Sequence, residues 1–291
     1  MKIGINTLLW TAAFDRGHLS LLTRIRSWGF DGVEIARFDY TDFPAVEISR
    51  ALADNGLQAT ACSALTGSLN LISDDASIRT EARDFLLTAI ESAALLGAKV
   101  LAGPFVAPVG LLVGRRRTDE EWGRAVEGLA SLGQALDDHD VTLAVEPLNR
   151  FETYALNTAA DALKLCQEVN HPRIGVLFDT FHANIEERNI AAAAELLCSR
   201  MKHVHACEND RGVPGSGHVE WDSLFRVLRR LKYQDWVVIE SFGSQIPEIA
   251  AAACIWRDLC PDSEMIASEG AKFLRSMSRG RVAAAVAPII D

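Results

Sequence analysis

Four residues in the second half of the chain carry metal-binding types of side chain, and each one ends an apolar segment. They are Glu146 in TLAVEPLNRFE, Asp179 in IGVLFDTFHA, His205 in KHVHACENDRG and Glu240 in WVVIESFG. The intervals between them are 33, 26 and 35 residues, which is typical of successive strands in a repeated strand–helix unit. Because parallel strands of such a repeat end on the same side, we expect the four side chains to meet.

Three carboxylates and one imidazole favour a divalent cation such as Mn²⁺, Mg²⁺ or Co²⁺ over a metal that prefers thiolates. A single carboxylate at a strand end is often only a helix cap or a surface charge, but four in consecutive repeats favour a metal site. His203 and His205 are two positions apart and point to the same face of their strand, so periodicity alone allows either as the ligand. We choose His205 because it lies nearer the end of the strand, and we expect His203 to be a hydrogen-bonded interior residue.

Three further polar residues follow these positions closely. Glu152 comes six residues after Glu146, His182 three after Asp179, and Arg211 six after His205. Arg211 lies in the glycine-rich segment NDRGVPGSGH, which we interpret either as a loop that closes over a ligand or as a mobile surface loop.

The elements that must position these residues are predicted from apolar runs that alternate with amphipathic stretches. We expect strands near 2–10, 32–37, 58–64, 99–104, 142–147, 174–180, 202–208 and 236–242. We expect helices near 17–28, 43–55, 77–97, 118–138, 158–169, 189–200 and 221–231, and again from about 247 onward. This alternation predicts an α/β fold, a (β/α)8 TIM barrel forming one domain over 1–277, with 278–291 as a C-terminal tail. A doubly wound sheet is less favoured, since the chain has neither GxGxxG nor GxxxxGK[ST].

The composition excludes several classes of protein. The chain has 291 residues and a net charge of −10, which argues against a nucleic-acid partner. The apolar start MKIGINTLLW is too short for a signal peptide, and no run of about 18 apolar residues suggests a membrane span, so we expect a cytoplasmic protein. The six cysteines form no CxxC pair, which indicates neither a structural zinc site nor a disulfide framework.

Five segments resemble one known family of enzymes. EPLNRFE, FDTFHAN, HVHACENDRG, PGSGHVEWDSLF and VVIESF are similar to the ketose 3-epimerases, a group of xylose-isomerase-like TIM barrels that includes D-tagatose, D-allulose and L-ribulose 3-epimerases. The resemblance extends from residue 1 to about residue 277. It implies that Glu146, Asp179, His205 and Glu240 coordinate a divalent metal, with Mn²⁺ expected first and Co²⁺ or Mg²⁺ as alternatives.

The resemblance also implies a role for each neighbouring residue. Glu146 and Glu240 would be the acid/base pair, and Glu152, His182 and Arg211 would bind the O1–O3 end of a sugar. Further residues would line the pocket, namely Asn6, Trp10 and Ser63–Leu65. Members of the family often carry an aromatic residue near the position of Asn6, so this chain departs from the pattern there.

These residue types suit epimerisation at C3 of a free ketose, such as L-ribulose, D-tagatose, D-fructose or D-allulose. The C3 proton is acidic only if the enediolate is stabilised, which a divalent cation does as a Lewis acid, and inversion needs a proton-transfer group on each face. Three alternatives remain: an aldose–ketose or hydroxypyruvate isomerase, an apurinic-site endonuclease and a sugar-binding barrel without activity. The endonucleases need more histidines than the seven present and a basic surface. We expect a homodimer or homotetramer, while the residues do not determine the preferred ketose.

Overall fold

The computed structural model describes residues 1–243 and 245–280. Eight parallel strands pair in chain order and β8 pairs with β1, which closes a barrel. The strands are β1 (Lys2–Asn6), β2 (Gly32–Ala36), β3 (Gln58–Cys62), β4 (Val100–Gly103), β5 (Thr142–Val145), β6 (Ile174–Asp179), β7 (Met201–His205) and β8 (Trp236–Ile239). This confirms the predicted (β/α)8 barrel, and each predicted strand overlaps an observed one.

Helices surround the barrel. They are α1 (Leu21–Ser27), α2 (Ala45–Asp54), α3 (Ala76–Leu96), α4 (Asp119–Ala130), α5 (Gly133–His139), α6 (Ala159–Val169), α7 (Thr180–Glu186), α8 (Ile190–Leu197), α9 (Trp221–Arg230), α10 (Pro247–Ala252) and α11 (Ser263–Ser278). Several predicted bounds were wrong in detail. The single helix predicted over 118–138 is two helices, and the strand predicted to reach residue 180 stops at Asp179, where α7 begins at once. The strands predicted over 2–10 and 202–208 stop at Asn6 and His205.

Local signals explain where several helices start and stop. The Thr118 hydroxyl accepts the backbone N–H of Glu121, and the Glu121 carboxylate accepts that of Thr118, so α4 begins with a reciprocal capping box. The side chain of Thr158 caps α6 in the same sense, by accepting the N–H of Asp161. Gly97 ends α3 at φ +82°, a left-handed conformation that glycine adopts without steric cost.

The interior of the barrel is layered. Near the amino-terminal end the Trp236 side chain fills the space beneath β2, and a Cβ at Gly32 would lie 2.4 Å from the Trp236 ring and 2.4 Å from the Gln58 carbonyl oxygen. Above it lies an apolar layer of Val100, Ala102, Ala144 and Leu177. Glu34 of β2 and His203 of β7 are both fully buried, and His203 pairs with Leu177 of this cluster. The barrel is therefore a packed core whose polar groups collect toward its carboxyl-terminal mouth.

Two features of the sequence prediction concern the chain as a whole. In the two described stretches, no helix is long and apolar enough to span a bilayer. Residues 281–291 of the predicted tail lie outside the described residues. The separation of the tail over 278–291 from the barrel therefore stays a prediction.

Candidate metal and substrate site

The four predicted ligands converge at the carboxyl-terminal mouth of the barrel. Asp179 and His205 are the last residues of β6 and β7, and Glu146 and Glu240 directly follow β5 and β8. One ligand atom from each side chain lies within 4.8 Å of the other three. All four residues are buried, at 6% exposed or less. The spacing of the strands in sequence therefore produces one compact cluster in space.

The donor atoms of this cluster fit a divalent cation. Within the described part of the chain, Glu146 Oε1 and His205 Nδ1 are buried side-chain atoms without a hydrogen-bond partner. Leaving a buried acceptor unpaired costs about 1–3 kcal/mol, so such atoms in a native site call for a ligand. Carboxylate oxygens with one imidazole nitrogen match the preferences of hard to borderline divalent ions. The cluster is a potential metal-binding site.

Electrostatics point the same way. Burial and the nearby charge of Glu240 both raise the pKa of Glu146 well above its usual value. Burial lowers the pKa of His205, but the charges of Glu240 and Glu34 outweigh burial and raise that pKa well above its usual value. Both shifts show that negative charge accumulates at this point, and a bound cation would offset it.

Arg211 provides the positive charge within the site. Its Nη1 lies 2.9 Å from Asp179 Oδ2 and 2.9 Å from Glu240 Oε2. The same nitrogen donates to Cys207 Sγ at 2.8 Å. Although burial alone would raise it, the pKa of Asp179 is lowered to about 2, chiefly by the charge of Arg211. One guanidinium group thus joins the ends of β6 and β8.

The conformation of Arg211 is closely constrained. Its guanidinium carbon lies 4.0 Å from the centre of the Phe181 ring and 4.8 Å from that of Phe242, so two aromatic side chains flank it. Its backbone is left-handed, at φ +67°, and its carbonyl oxygen accepts the Ser241 hydroxyl at 2.5 Å. The segment that holds Arg211 therefore packs against the mouth of the barrel, and whether it moves when a ligand binds stays a prediction.

His182 is oriented through its neighbour Asn149. His182 Nδ1 accepts the backbone N–H of Asn149 at 3.1 Å, which leaves the hydrogen of the neutral ring on Nε2. That nitrogen lies 3.6 Å from Glu146 Oε1 and 3.7 Å from Asp179 Oδ2. Burial lowers the pKa of His182 and favours the neutral ring. The Asn149 side chain also donates to Glu152 Oε1 at 2.8 Å, so Glu152 and His182 lie beside the same amide.

Comparison with known proteins agrees with this geometry. The family model described as xylose isomerase-like TIM barrel matches residues 22–277. A Synechocystis sp. protein named "Probable ketose 3-epimerase" is 37% identical over 94% of this chain and 96% of its own length. The D-psicose 3-epimerase of Enterocloster bolteae is 32% identical over 90% of this chain and 89% of its own. The chain belongs to the ketose 3-epimerase family. The resemblance stated from the sequence is confirmed, and the family is one of isomerase-class enzymes.

A solved structure extends the likeness from sequence to shape. The structure of an L-ribulose 3-epimerase has a TM-score of 0.91 against this chain at 29% identity, and the match covers 96% of this chain and 95% of the other. Ketose 3-epimerase relatives and this chain therefore share the whole barrel and not only its motifs.

Three residues predicted to line a ketose pocket lie at the ends of β1 and β3. Asn6 is fully buried, its Nδ2 donates to Glu34 Oε1 at 2.9 Å, and its Oδ1 accepts the N–H of Leu8. Trp10 is half-buried and stacks on Trp28 with 6.0 Å between ring centres. Ser63 directly follows β3 and is fully buried. Contact of these three residues with substrate stays a prediction.

Sequence reasoning missed several residues of the site. Phe181, Phe242 and Glu208 gave no spacing signal that separates them from ordinary core or loop residues. Glu34 did give one, because it is the only charged residue within the strand Gly32–Ala36, all of whose residues are buried. A charge in such a strand needs a partner, and that argument would have found it.

Proposed function

We propose that the protein epimerises free ketoses at C3 through an enediolate. The observation that carries this proposal is that two carboxylates, Glu146 and Glu240, belong to one cation cluster and come from strands separated by β6 and β7. A group that removes a proton from one face of C3 and a group that returns one to the other face must both reach the same carbon. Two carboxylates that approach one cluster from β5 and β8 support this assignment.

Each neighbouring residue has a part in this proposal. One of Glu146 and Glu240 removes the C3 proton as the base, and the other donates a proton to the opposite face of C3 as the acid. The Nε2–H of His182 and the guanidinium of Arg211 donate to substrate oxygens at the O1–O3 end, and Glu152 accepts a sugar hydroxyl. A divalent cation held by Glu146, Asp179, His205 and Glu240, with Mn²⁺ proposed first and Co²⁺ or Mg²⁺ as alternatives, would supply Lewis-acid stabilisation of the charge that develops on the ketose. Burial of the site keeps competing water from the enediolate.

The names of relatives support a proposed substrate class. Relatives named for D-psicose and L-ribulose indicate free hexuloses and pentuloses, and we propose the same class here. A cytoplasmic location and a homodimer or homotetramer, both expected from the sequence, stay predictions.

Isotope exchange tests the reaction directly. The protein with Mn²⁺ is incubated in D2O with a panel of ketoses, and we expect deuterium at C3 together with the C3 epimer. An aldose product would instead establish isomerisation between C1 and C2. Ketose binding without exchange at any carbon would leave only a sugar-binding barrel.

The acid/base pair is tested by Glu240→Gln. The amide keeps an oxygen that can bind the cation but cannot accept the C3 proton, so we expect kcat to fall by about 100- to 10,000-fold while Mn²⁺ remains bound. Metal content is measured on the same samples. The exposed Glu220 provides the matched control, since Glu220→Gln should leave kcat unchanged. Near-normal turnover in Glu240→Gln would show that Glu240 does not transfer the C3 proton.

A further inference from the structure

A buried carboxylate lies directly beneath the candidate metal cluster. Glu34, on β2, is fully buried. Its Oε1 accepts Asn6 Nδ2 at 2.9 Å, and its Oε2 accepts the Thr60 hydroxyl at 3.1 Å. Donors from β1 and β3 therefore hold both oxygens of a side chain that points into the middle of the barrel.

Across the barrel, the same two oxygens meet the histidines of β7. Glu34 Oε1 lies 2.7 Å from His205 Nε2, and Glu34 Oε2 lies 2.7 Å from His203 Nε2. The two imidazole rings are nearly perpendicular, at 77°, with 5.2 Å between their centres. Each oxygen thus faces one ring, and rotation of the carboxylate would break both contacts together.

This contact determines which nitrogen of His205 is available to a cation. A histidine that binds a cation must give up one ring proton. The neutral imidazole then has one N–H and one lone pair, and an ionised carboxylate can only accept a hydrogen bond. When His205 binds a cation, the hydrogen of its ring therefore lies on Nε2, toward Glu34. The lone pair lies on Nδ1, which is 3.4 Å from Glu240 Oε1 at the cluster.

We propose that Glu34 is a positioning residue for the metal centre: it holds His205 with Nε2–H directed inward and Nδ1 directed to the cation. The inference rests on the proposed metal site and adds to it a residue that supports the ligand from behind. A carboxylate that accepts the second N–H of a ligating histidine fixes the ring and makes its other nitrogen a stronger donor. Thr60 donates to the second oxygen of Glu34, and His203 Nε2 lies 2.7 Å from that oxygen.

The first experiment uses the unmodified chain. Histidine is labelled with ¹⁵N, the protein is loaded with Zn²⁺ as a diamagnetic probe, and long-range ¹H–¹⁵N correlations report which nitrogen carries hydrogen. The His205 signals are assigned by their loss in His205→Asn. We expect hydrogen on Nε2 and the metal-induced shift on Nδ1. Hydrogen on Nδ1, or the metal-induced shift on Nε2, would overturn the proposal.

The second experiment measures metal affinity in Glu34→Gln. The Co²⁺ dissociation constant from titration calorimetry should rise about 10- to 100-fold, and the visible Co²⁺ absorption should change with the ligand field. The matched control is Glu121→Gln, which makes the same change at another buried carboxylate and should leave both readouts unchanged. Melting of the metal-free proteins reports the effect on folding separately.

The outcomes are distinct. A lower melting temperature in Glu34→Gln with unchanged Co²⁺ affinity and spectrum would show a structural role only and overturn the proposal. If this variant does not fold, the ring assignment in the unmodified chain decides the question. Neither measurement uses a sugar, so a protein that binds the cation through His205 Nδ1 but exchanges no C3 proton would overturn the proposed function alone.

Discussion

At the scale of single residues, Arg211 connects most of the candidate site. Its guanidinium group touches two proposed ligands, lies between two aromatic rings and has its Nη2 3.3 Å from His182 Nε2. Its planar shape matters as much as its charge, because only a flat group fits between Phe181 and Phe242 while reaching carboxylates with the same edge. A lysine would supply the charge without the plane.

We therefore expect Arg211→Lys to lower kcat/KM by about 10- to 100-fold, with a higher KM for the ketose. Steady-state kinetics at several ketose concentrations measure both parameters. Arg226 is exposed on α9, and Arg226→Lys serves as the control that should change neither. An unaltered kcat/KM in Arg211→Lys would show that charge alone suffices at this position.

Asp179 shows how one residue satisfies two interpretations at once. Its Oδ1 accepts the N–H of Phe181 at 2.7 Å and caps α7, while its Oδ2 faces Arg211 and the cluster. A carboxylate at a strand end can either cap the following helix or bind a metal, and the position of Asp179 allows both. A carboxylate has enough lone pairs to serve as a cap and a ligand together.

At the scale of elements, the loop between β7 and α9 is organised around Glu208. This carboxylate is fully buried and accepts the backbone N–H groups of Gly215 at 2.8 Å and Val219 at 2.9 Å. It also accepts the indole N–H of Trp221 at 2.9 Å. These bonds fold residues 209–219 back on the end of β7, which holds Arg211 over the mouth of the barrel.

Replacing Glu208 with Gln should loosen this loop, because an amide has one acceptor oxygen and its NH2 group would face N–H donors. We expect the free energy of unfolding to fall by about 1–3 kcal/mol and the KM to rise. Hydrogen exchange at Gly215 and Val219 should accelerate, which a general loss of stability would not confine to this loop. Glu220→Gln is the control within the same loop, and equal protection in both variants would contradict the assignment.

The start of α4 provides a pH-dependent element. Hydrogen bonds from Arg115, with further ones from the Thr118 backbone and Tyr154, outweigh burial and lower the pKa of Glu121 to about 2. A lowered pKa means that the interaction stabilises the fold above the unfolded-state value of about 4.5 and is lost as the pH falls toward 2. Glu121→Gln should therefore lose about 1–3 kcal/mol at pH 7 and progressively less below pH 4.5.

Denaturant unfolding at pH 7 and at pH 3 measures this difference. Glu127 is exposed on the same helix, so Glu127→Gln is the matched control and should show no such pH-dependent deficit. A Glu121→Gln deficit of the same size at both pH values would show that the carboxylate charge does not contribute.

The fold and the ligands were predictable for a shared reason, which is that parallel strands are apolar runs whose chemistry lies at their ends. Each of the four proposed ligands has a metal-binding side chain and stands at the end of such a run, so residue type and position in the sequence both indicated the site. They are Glu146, Asp179, His205 and Glu240. Helix α7 was missed because Thr180 and Phe181 favour strands, and the cap by Asp179 that reverses this preference depends on the turn itself. The aromatic flanks of Arg211 were missed because Phe181 lies in α7 and Phe242 follows β8, and only the closed barrel brings the two together.

At the scale of the whole molecule, the packed floor of the barrel gives a clear stability prediction. Gly32→Ala would place a methyl group against the Trp236 ring and a backbone oxygen, so we expect a loss of about 1–3 kcal/mol in the free energy of unfolding. Gly123 lies within α4 with open space at its Cβ position, and Gly123→Ala should instead add about 0.5–1 kcal/mol. Thermal unfolding of both variants measures the contrast, and kcat of the folded proteins should be unchanged. Equal stability in the two variants would contradict this view of the floor.

The packed amino-terminal end of the barrel also determines how substrate and product reach and leave the site. In the described part of the chain, Trp236 and the apolar cluster of Val100, Ala102, Ala144 and Leu177 fill the barrel interior below the candidate site, so we expect sugars to enter and leave from the strand ends. Substrate cannot enter from behind while product leaves in front, so each epimer must depart before the other arrives. For a reversible epimerase this makes the two sugars mutually exclusive occupants, and each should act as a strictly competitive inhibitor of the other's conversion.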